Sequence, residues 1–184
     1  MQRNAQYKRG FTVVELLIVV VVIAILAVVT TVAYNGIQQR AVNVQNEAEA
    51  SQAVRLLKSY YALNGSYPST NGAPSVCIGA GFANYTGDPN GDCWDTLGSH
   101  YKSVDPAFNS ALATVGAMNN DSKAPIPYRD GVSFVGPVFS TPSESGNTLG
   151  YIVQYWVYGS TCPSGTKVWA GTITVTSRCA LTLN

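Results

Sequence analysis

The reading turns on Lys8-Arg9-Gly10-Phe11-Thr12-Val13-Val14-Glu15-Leu16-Leu17-Ile18, where a basic step meets a long apolar run across a single carboxylate. From Leu16 to Tyr34 no residue is charged, and Leu16 to Val29 is apolar on every side. With Thr30 to Tyr34 the run approaches the roughly 20 residues that a helix needs to cross a bilayer. Its β-branched residues are mediocre helix formers in water, but hydrocarbon leaves unpaired backbone groups no alternative. Arg3, Lys8 and Arg9 precede the run, and no basic residue follows until Arg40. That asymmetry orients the N-terminus to the cytoplasm and the remainder outside.

Working outward, the pattern changes after Asn35-Gly36 without becoming a loop. Ile37, Ala41, Val44, Ala48, Val54, Leu57 and Tyr61 recur at helical spacing, with Arg40, Glu47, Glu49, Arg55 and Lys58 mostly between them. This predicts an amphipathic continuation with those apolar residues as its buried face. Asn64-Gly65 supplies a stop, and Pro68 follows. The helix is predicted from about Phe11 to Leu63, roughly 80 Å at 1.5 Å per residue. Gly36 is its weak point and marks an expected bend or local melting.

Residues 65–131 are rich in Gly, Pro, Asn, Asp and Ser, which predicts loops with short elements and one short helix over Ala107 to Val115. Three strand signals follow. Val132 to Phe139 is the first, with Pro137 demoting its end to an edge. Leu149 to Tyr158 is aromatic and β-branched. Val168 to Thr176 alternates, with Trp169, Ile173 and Val175 on one face and Thr172, Thr174 and Thr176 on a polar one. The fold expected is α+β, a long N-terminal helix packed on a small C-terminal antiparallel sheet.

The four cysteines, Cys77, Cys93, Cys162 and Cys179, all lie beyond the apolar run. An even count in a chain with an export signal suggests disulfides. Sequence alone allows three pairings, of which proximity favours Cys77–Cys93 and Cys162–Cys179. Each closes a loop of roughly 16 residues, worth about 3 kcal/mol in the chain-entropy model. No cysteines form a C-x-x-C pair and there is a single histidine, His100, so a zinc site is poorly supplied. Charged residues make up only 11% of the chain and net charge is +1, with no basic patch that calls for nucleic acid. All ten acids lie behind Gly10 and three of the eleven bases ahead of it, so loss of residues 1–10 leaves a mildly acidic body.

Lys8 to Ile18 resembles the class III signal of the type IV pilin family, a short basic leader, a Gly, then Phe-Thr-x-x-Glu opening an apolar helix. Tyr34-Asn35-Gly36 and Asn64-Gly65-Ser66-Tyr67-Pro68 look like further features of that family. The resemblance implies a leader over 1–10, a transmembrane and filament-core helix over 11–35, an amphipathic helix over 36–64 and a disulfide-bonded head over 65–184. It implies a prepilin peptidase cutting between Gly10 and Phe11, methylation of the Phe11 amine, and an assembly role for Glu15 against the Phe11 amine of a neighbouring subunit. The partners implied are further copies of the chain in a helical filament, other pilins, the peptidase, the pilus assembly platform, and the membrane before assembly. The implied location is the cytoplasmic membrane as a single-pass precursor, then an extracellular pilus on the cell surface. A pseudopilin of a secretion or DNA-uptake machine, or an anchored adhesin, shares every one of these residues.

The residues themselves give Glu15 a physical motive for that role. A carboxylate at the start of a hydrocarbon-facing helix is costly, and pairing with an ammonium relieves both groups. Glu15 stands four residues after Phe11, about 6 Å along a helix axis, so such a pairing also fixes axial register. The plainer reading is that Glu15 complements the helix N-terminal dipole near the headgroups. An ordinary secretory signal, with Thr31-Val32-Ala33 as a poor cleavage motif, is the competing reading of the whole segment. Glu15 and the helical pattern running on through residue 63 argue against it.

Other signals are weaker. Asp88-Pro89-Asn90-Gly91-Asp92 opens like a calcium loop, but Cys93 stands in the Gly position and Ser99 where a Glu belongs. Asn64-Gly65-Ser66, Asn84-Tyr85-Thr86 and Asn120-Asp121-Ser122 match the glycosylation pattern, but such triplets arise often by chance in Asn/Ser-rich chains and read as turns. Tyr151, Tyr155, Trp156, Tyr158 and Trp169 suggest a carbohydrate or partner patch if exposed, and strand packing if buried. Gly79-Ala80-Gly81 lacks the context of a nucleotide loop. His100 has no flanking pattern, and no catalytic residues, metal or cofactor are called for.

Overall fold

The structure, a computed structural model, describes residues 10–79, 82, 93, 104–118, 126–129, 132–170 and 176–183. The chain forms two compact units, residues 1–38 and 39–184. Helix α1 (Val13–Asn64) supplies most of the first and opens the second. Its apolar part, through Val29, has its side chains exposed, and an 18-residue window within the helix reaches a mean hydropathy of 3.2. The hydroxyls of Thr30 and Thr31 donate to the Ala27 carbonyl at 3.0 and 2.7 Å. That internal bonding lets hydroxyl side chains sit in hydrocarbon. The helix is unbroken through Gly36, so the local melting expected of that glycine does not occur. It ends as the Asn-Gly signal indicates. Gly65 takes φ +71°, a left-handed value that favours glycine, and its N–H donates to Tyr61 O at 2.8 Å.

In the second unit a five-stranded antiparallel sheet has the order β1-β4-β5-β7-β6. The strands are β1 (Ser75–Cys77), β4 (Val138–Ser140), β5 (Ile152–Tyr158), β6 (Thr166–Ala170) and β7 (Thr176–Thr182). A separate hairpin pairs β2 (Ile126–Arg129) with β3 (Val132–Phe134), and the short helix α2 (Pro106–Ala113) begins at an Asp105 cap. The fold is α+β, as the sequence indicates. Two strand assignments are corrected. Val132 to Phe139 is two strands in two different sheets. Gly136 at φ +71° and Pro137, which has no N–H, interrupt the run. β4 then lies between β1 and β5, so Pro137 immediately precedes an interior strand rather than ending an edge. Val168 to Thr176 is likewise divided. Its first residues belong to β6, Thr176 opens β7, and Thr172, Ile173, Thr174 and Val175 lie outside the described residues.

The head has a core on each face of the sheet. On one, Ala50, Ala53 and Leu57 of α1 and Phe108 and Leu112 of α2 pack on Val76, Phe139, Val153, Tyr155 and Val157. On the other, Ile126 and Phe134 of the hairpin pack with Val138 and Trp156, and the Phe134 and Trp156 rings stack at 4.9 Å. β5 is therefore buried on both faces. Disulfide Cys77–Cys93 adjoins the second core. Cys162–Cys179 ties the β5–β6 loop to β7.

The buried face of α1 is the predicted one only in part. Leu57 is buried and Val54 packs against the core, whereas Ile37, Ala41, Val44, Ala48 and Tyr61 are exposed, and Asn46, Glu49, Ala50 and Ala53 are buried in their place. The reason lies in β5. Its ladder to β4 ends at Gln154–Val138, because Gly136 and Pro137 cannot extend the partner strand. Asn43 and Asn46, one helical turn apart, take over the vacated ladder. Asn43 Nδ2 donates to Tyr158 O at 2.8 Å, and Tyr158 N donates back to Asn43 Oδ1 at 2.7 Å. Asn46 Nδ2 donates to Trp156 O at 3.0 Å. Buried backbone groups require partners, so the helix turns its amides toward the sheet, and the small Ala50 and Ala53 allow close approach.

Candidate functional site

The residues before α1 build a reciprocal hydrogen-bonded cap. Thr12 N and Thr12 Oγ1 both donate to Glu15 Oε2 at 2.8 Å, and Glu15 N donates to Thr12 Oγ1 at 3.2 Å. This is the capping box, which satisfies two orphan donors of a helix start at once. The signal was present in the sequence as Thr12-x-x-Glu15, four residues whose spacing the resemblance explained in another way. Glu15 thus has an intrachain partner, and its Oε1 takes no hydrogen bond among the described residues. Gly10 and Phe11 stand exposed ahead of the cap, Phe11 at 88%. A Cβ on Gly10 would meet nothing within 4 Å, so the structure itself gives no steric reason for glycine there.

Gly10, Phe11 and Glu15 therefore lie within six residues of chain, at the mouth of a helix whose apolar side chains have no cover in the monomer. The backbone at Gly10 and Phe11 is exposed, and the Glu15 carboxylate four residues on is fixed by Thr12. The arrangement offers no nucleophile–base pair and no metal set, and no group of three potential metal ligands occurs among the described residues.

Elsewhere the aromatic residues separate. Trp156 and Tyr155 are only 2% and 1% exposed and Tyr158 is half-buried, so they serve packing. Burial pushes the Tyr155 phenol up, opposed by its bonds to Ser164. The Trp169 side chain lies outside the described residues. Tyr151 is exposed, and with Tyr61 it flanks Tyr67, ring centroids 4.8 and 4.9 Å away. Asn64-Gly65-Ser66 forms the end of α1. The calcium-like Asp88–Asp92 stretch, His100, Ala80-Gly81, Asn84-Tyr85-Thr86 and Asn120-Asp121-Ser122 lie outside the described residues.

Residues 6–31 match the family model described as the prokaryotic N-terminal methylation motif. The chain thus carries the class III signal of type IV pilin-like proteins, on a long apolar helix followed by a small antiparallel sheet. No curated protein and no solved structure matches the chain. The motif supports a type IV pilin-like precursor; the proteins that carry it are structural rather than enzymatic, and it implies prepilin peptidase processing and pilus assembly in general. With the apolar helix it fits a membrane-anchored precursor.

Proposed function

We propose that this chain is a structural subunit of a type IV pilus or a closely related filament, and performs no catalysis of its own. A prepilin peptidase cuts between Gly10 and Phe11 and methylates the new amine. The apolar part of α1 holds the precursor in the membrane with its N-terminus in the cytoplasm, and the head lies outside. Assembly exchanges lipid neighbours for the helices of sister copies, and the finished filament is extracellular. Glu15 meets the Phe11 amine of a neighbouring copy, using the oxygen that Thr12 leaves unoccupied. The observation that carries this reading is the pairing of an uncovered apolar helix with one fixed carboxylate at its start. A soluble secreted domain has no use for either.

The exposed stripe of Ile37, Ala41, Val44 and Ala48 supports the same reading. It is apolar and lies on the continuing helix, and none of its residues belongs to the head's own core.

Glu15→Gln separates the two roles of the carboxylate. Glutamine at this position still caps the helix but cannot pair as an anion. The expected result is processed, membrane-held protein and few or no filaments. Filament yield equal to that of the unsubstituted chain would remove the charge-pairing role and leave Glu15 as a cap alone.

A further inference from the structure

Three Asn-Gly pairs occur among the described residues, at Asn35-Gly36, Asn64-Gly65 and Asn71-Gly72, and the structure separates them chemically. Such a pair can react within itself. The glycine amide nitrogen attacks the asparagine Cγ, and the glycine has no side chain to hinder the approach. The reaction needs that nitrogen free of other bonds and a backbone able to turn.

Asn35-Gly36 lies inside α1, where the Gly36 N–H belongs to the helical ladder. Asn64-Gly65 ends α1, and both its groups are engaged. Gly65 N donates to Tyr61 O at 2.8 Å, and Asn64 Nδ2 donates to Tyr60 O at 2.9 Å. Asn71-Gly72 is different. It is the central pair of the turn from Thr70 to Ala73, closed by Ala73 N donating to Thr70 O at 2.9 Å. The φ values of +51° and +84° are those of a type I′ turn, which suits Asn-Gly. Both residues are exposed, and Gly72 N makes no hydrogen bond among the described residues. The bonds that hold the turn lie at the surface, where water replaces them at small cost, so this backbone opens far more often than a helix interior.

The place of Asn71 gives its chemistry a consequence. Asn71 Nδ2 donates to Asp105 Oδ2 at 2.8 Å, while Asp105 Oδ1 accepts from Ala107 N at 2.8 Å and Phe108 N at 3.0 Å. One carboxylate thus caps α2 and ties the turn to it. Immediately after the turn, Ala73 packs on the core and Ser75 opens β1.

We propose that Asn71 is a site of spontaneous deamidation, at which loss of the side-chain amide releases the turn from α2. Gly72 N forms a bond to Asn71 Cγ, and Nδ2 leaves as ammonia with the proton given up by Gly72 N. The product is a five-membered succinimide. Water opens that ring at either carbonyl, giving aspartate or the isoaspartate whose main chain runs through the former side chain. Either product sets a carboxylate against Asp105 where a donor stood. Isoaspartate also adds a carbon to the main chain within the turn. The site needs only the head and stands independently of the filament reading.

The test holds the full chain, in detergent, in warm and mildly alkaline buffer. Peptides covering Asn35, Asn64 and Asn71 are followed by mass spectrometry, with isoaspartate distinguished by electron-transfer fragmentation. In the folded chain Asn71 is expected to convert at least about tenfold faster than Asn35 or Asn64, and in denaturant the three rates are expected to converge. Conversion of Asn35 or Asn64 at the rate of Asn71, or an Asn71 that stays an amide, would overturn the proposal. The consequence is read separately by thermal melting. Asn71→Asp is expected to lower the melting temperature by about 3 °C near neutral pH. Adding Asp105→Asn restores a donor and an acceptor in the opposite order and should recover most of that loss. An Asn71→Asp chain as stable as the unsubstituted one, or a loss that Asp105→Asn leaves in place, would show that the amide holds nothing there.

Discussion

Asn43→Ala tests why α1 docks with a partly unpredicted face. The substitution removes both bonds between the Asn43 amide and Tyr158, leaving a backbone N–H and a C=O without partners. Both residues are half-buried, so water recovers part of the loss. At about 1 kcal/mol for each group, near the low end for unsatisfied buried atoms, Asn43→Ala costs about 2 kcal/mol. Asn46 is the deeper residue, yet its substitution should cost less. It makes one bond, to Trp156 O, while its own Oδ1 is buried without a partner. Asn46→Ala loses the first and relieves the second, for a net of about 1 kcal/mol or less. The assay is denaturant unfolding of the full chain in detergent, followed by tryptophan fluorescence, because Trp94, Trp156 and Trp169 all lie in the head. If the order is reversed, or if Asn43→Ala costs nothing, apolar packing alone docks the helix and the ladder-completion argument fails.

Paired replacement of Cys162 and Cys179 by serine should lower head stability by about 3 kcal/mol, measured in the same unfolding assay; an unchanged midpoint would show that the strand ladder already constrains that end. The Asp105 carboxyl lies below its usual range, chiefly through the Phe108 N–H, opposed by desolvation and lowered further by Asn71 and the Ala107 N–H. Its contribution is therefore present above the unfolded-state value and lost as pH falls through the folded one. Asp105→Asn should flatten the acid limb of a stability-against-pH curve, and an identical limb would count against the cap. Val44→Glu, on the exposed stripe, should leave the melting temperature of the head unchanged while cutting filament yield, and unaltered filaments would show that this stripe faces solvent.

The extent of α1 was legible because its signals are chemical and local: a basic step, a carboxylate, uninterrupted hydrocarbon, and Asn64-Gly65 at the end. α2 was legible through Pro106 and the apolar Phe108 and Leu112. Which face of α1 meets the sheet was only partly visible. Hydrophobic periodicity counts Val44 and Ile37 as core and Asn43 and Asn46 as surface, whereas the broken ladder of β5 requires amides. That requirement arises from Gly136 and Pro137, far along the chain, and no window of helix sequence contains it. β7 was missed for a related reason. Thr176-Ser177-Arg178-Cys179-Ala180-Leu181-Thr182 alternates poorly, because polar Ser177 stands on the core side with Cys179 and Leu181, and Ala180 stands on the other among Thr176, Arg178 and Thr182. At the N-terminus Gly10, Phe11, Thr12 and Glu15 are all visible in the sequence, but Thr12-x-x-Glu15 serves the family signal and the helix cap with one spacing, so the first conceals the second.

The most direct test is the N-terminus of the protein recovered from filaments sheared from cells, read by intact mass and terminal sequencing. A chain that begins at Phe11, carries one additional methyl group and retains the whole apolar helix is the predicted result. Recovery of this protein only as a soluble monomer that begins after Ala33 would contradict the account.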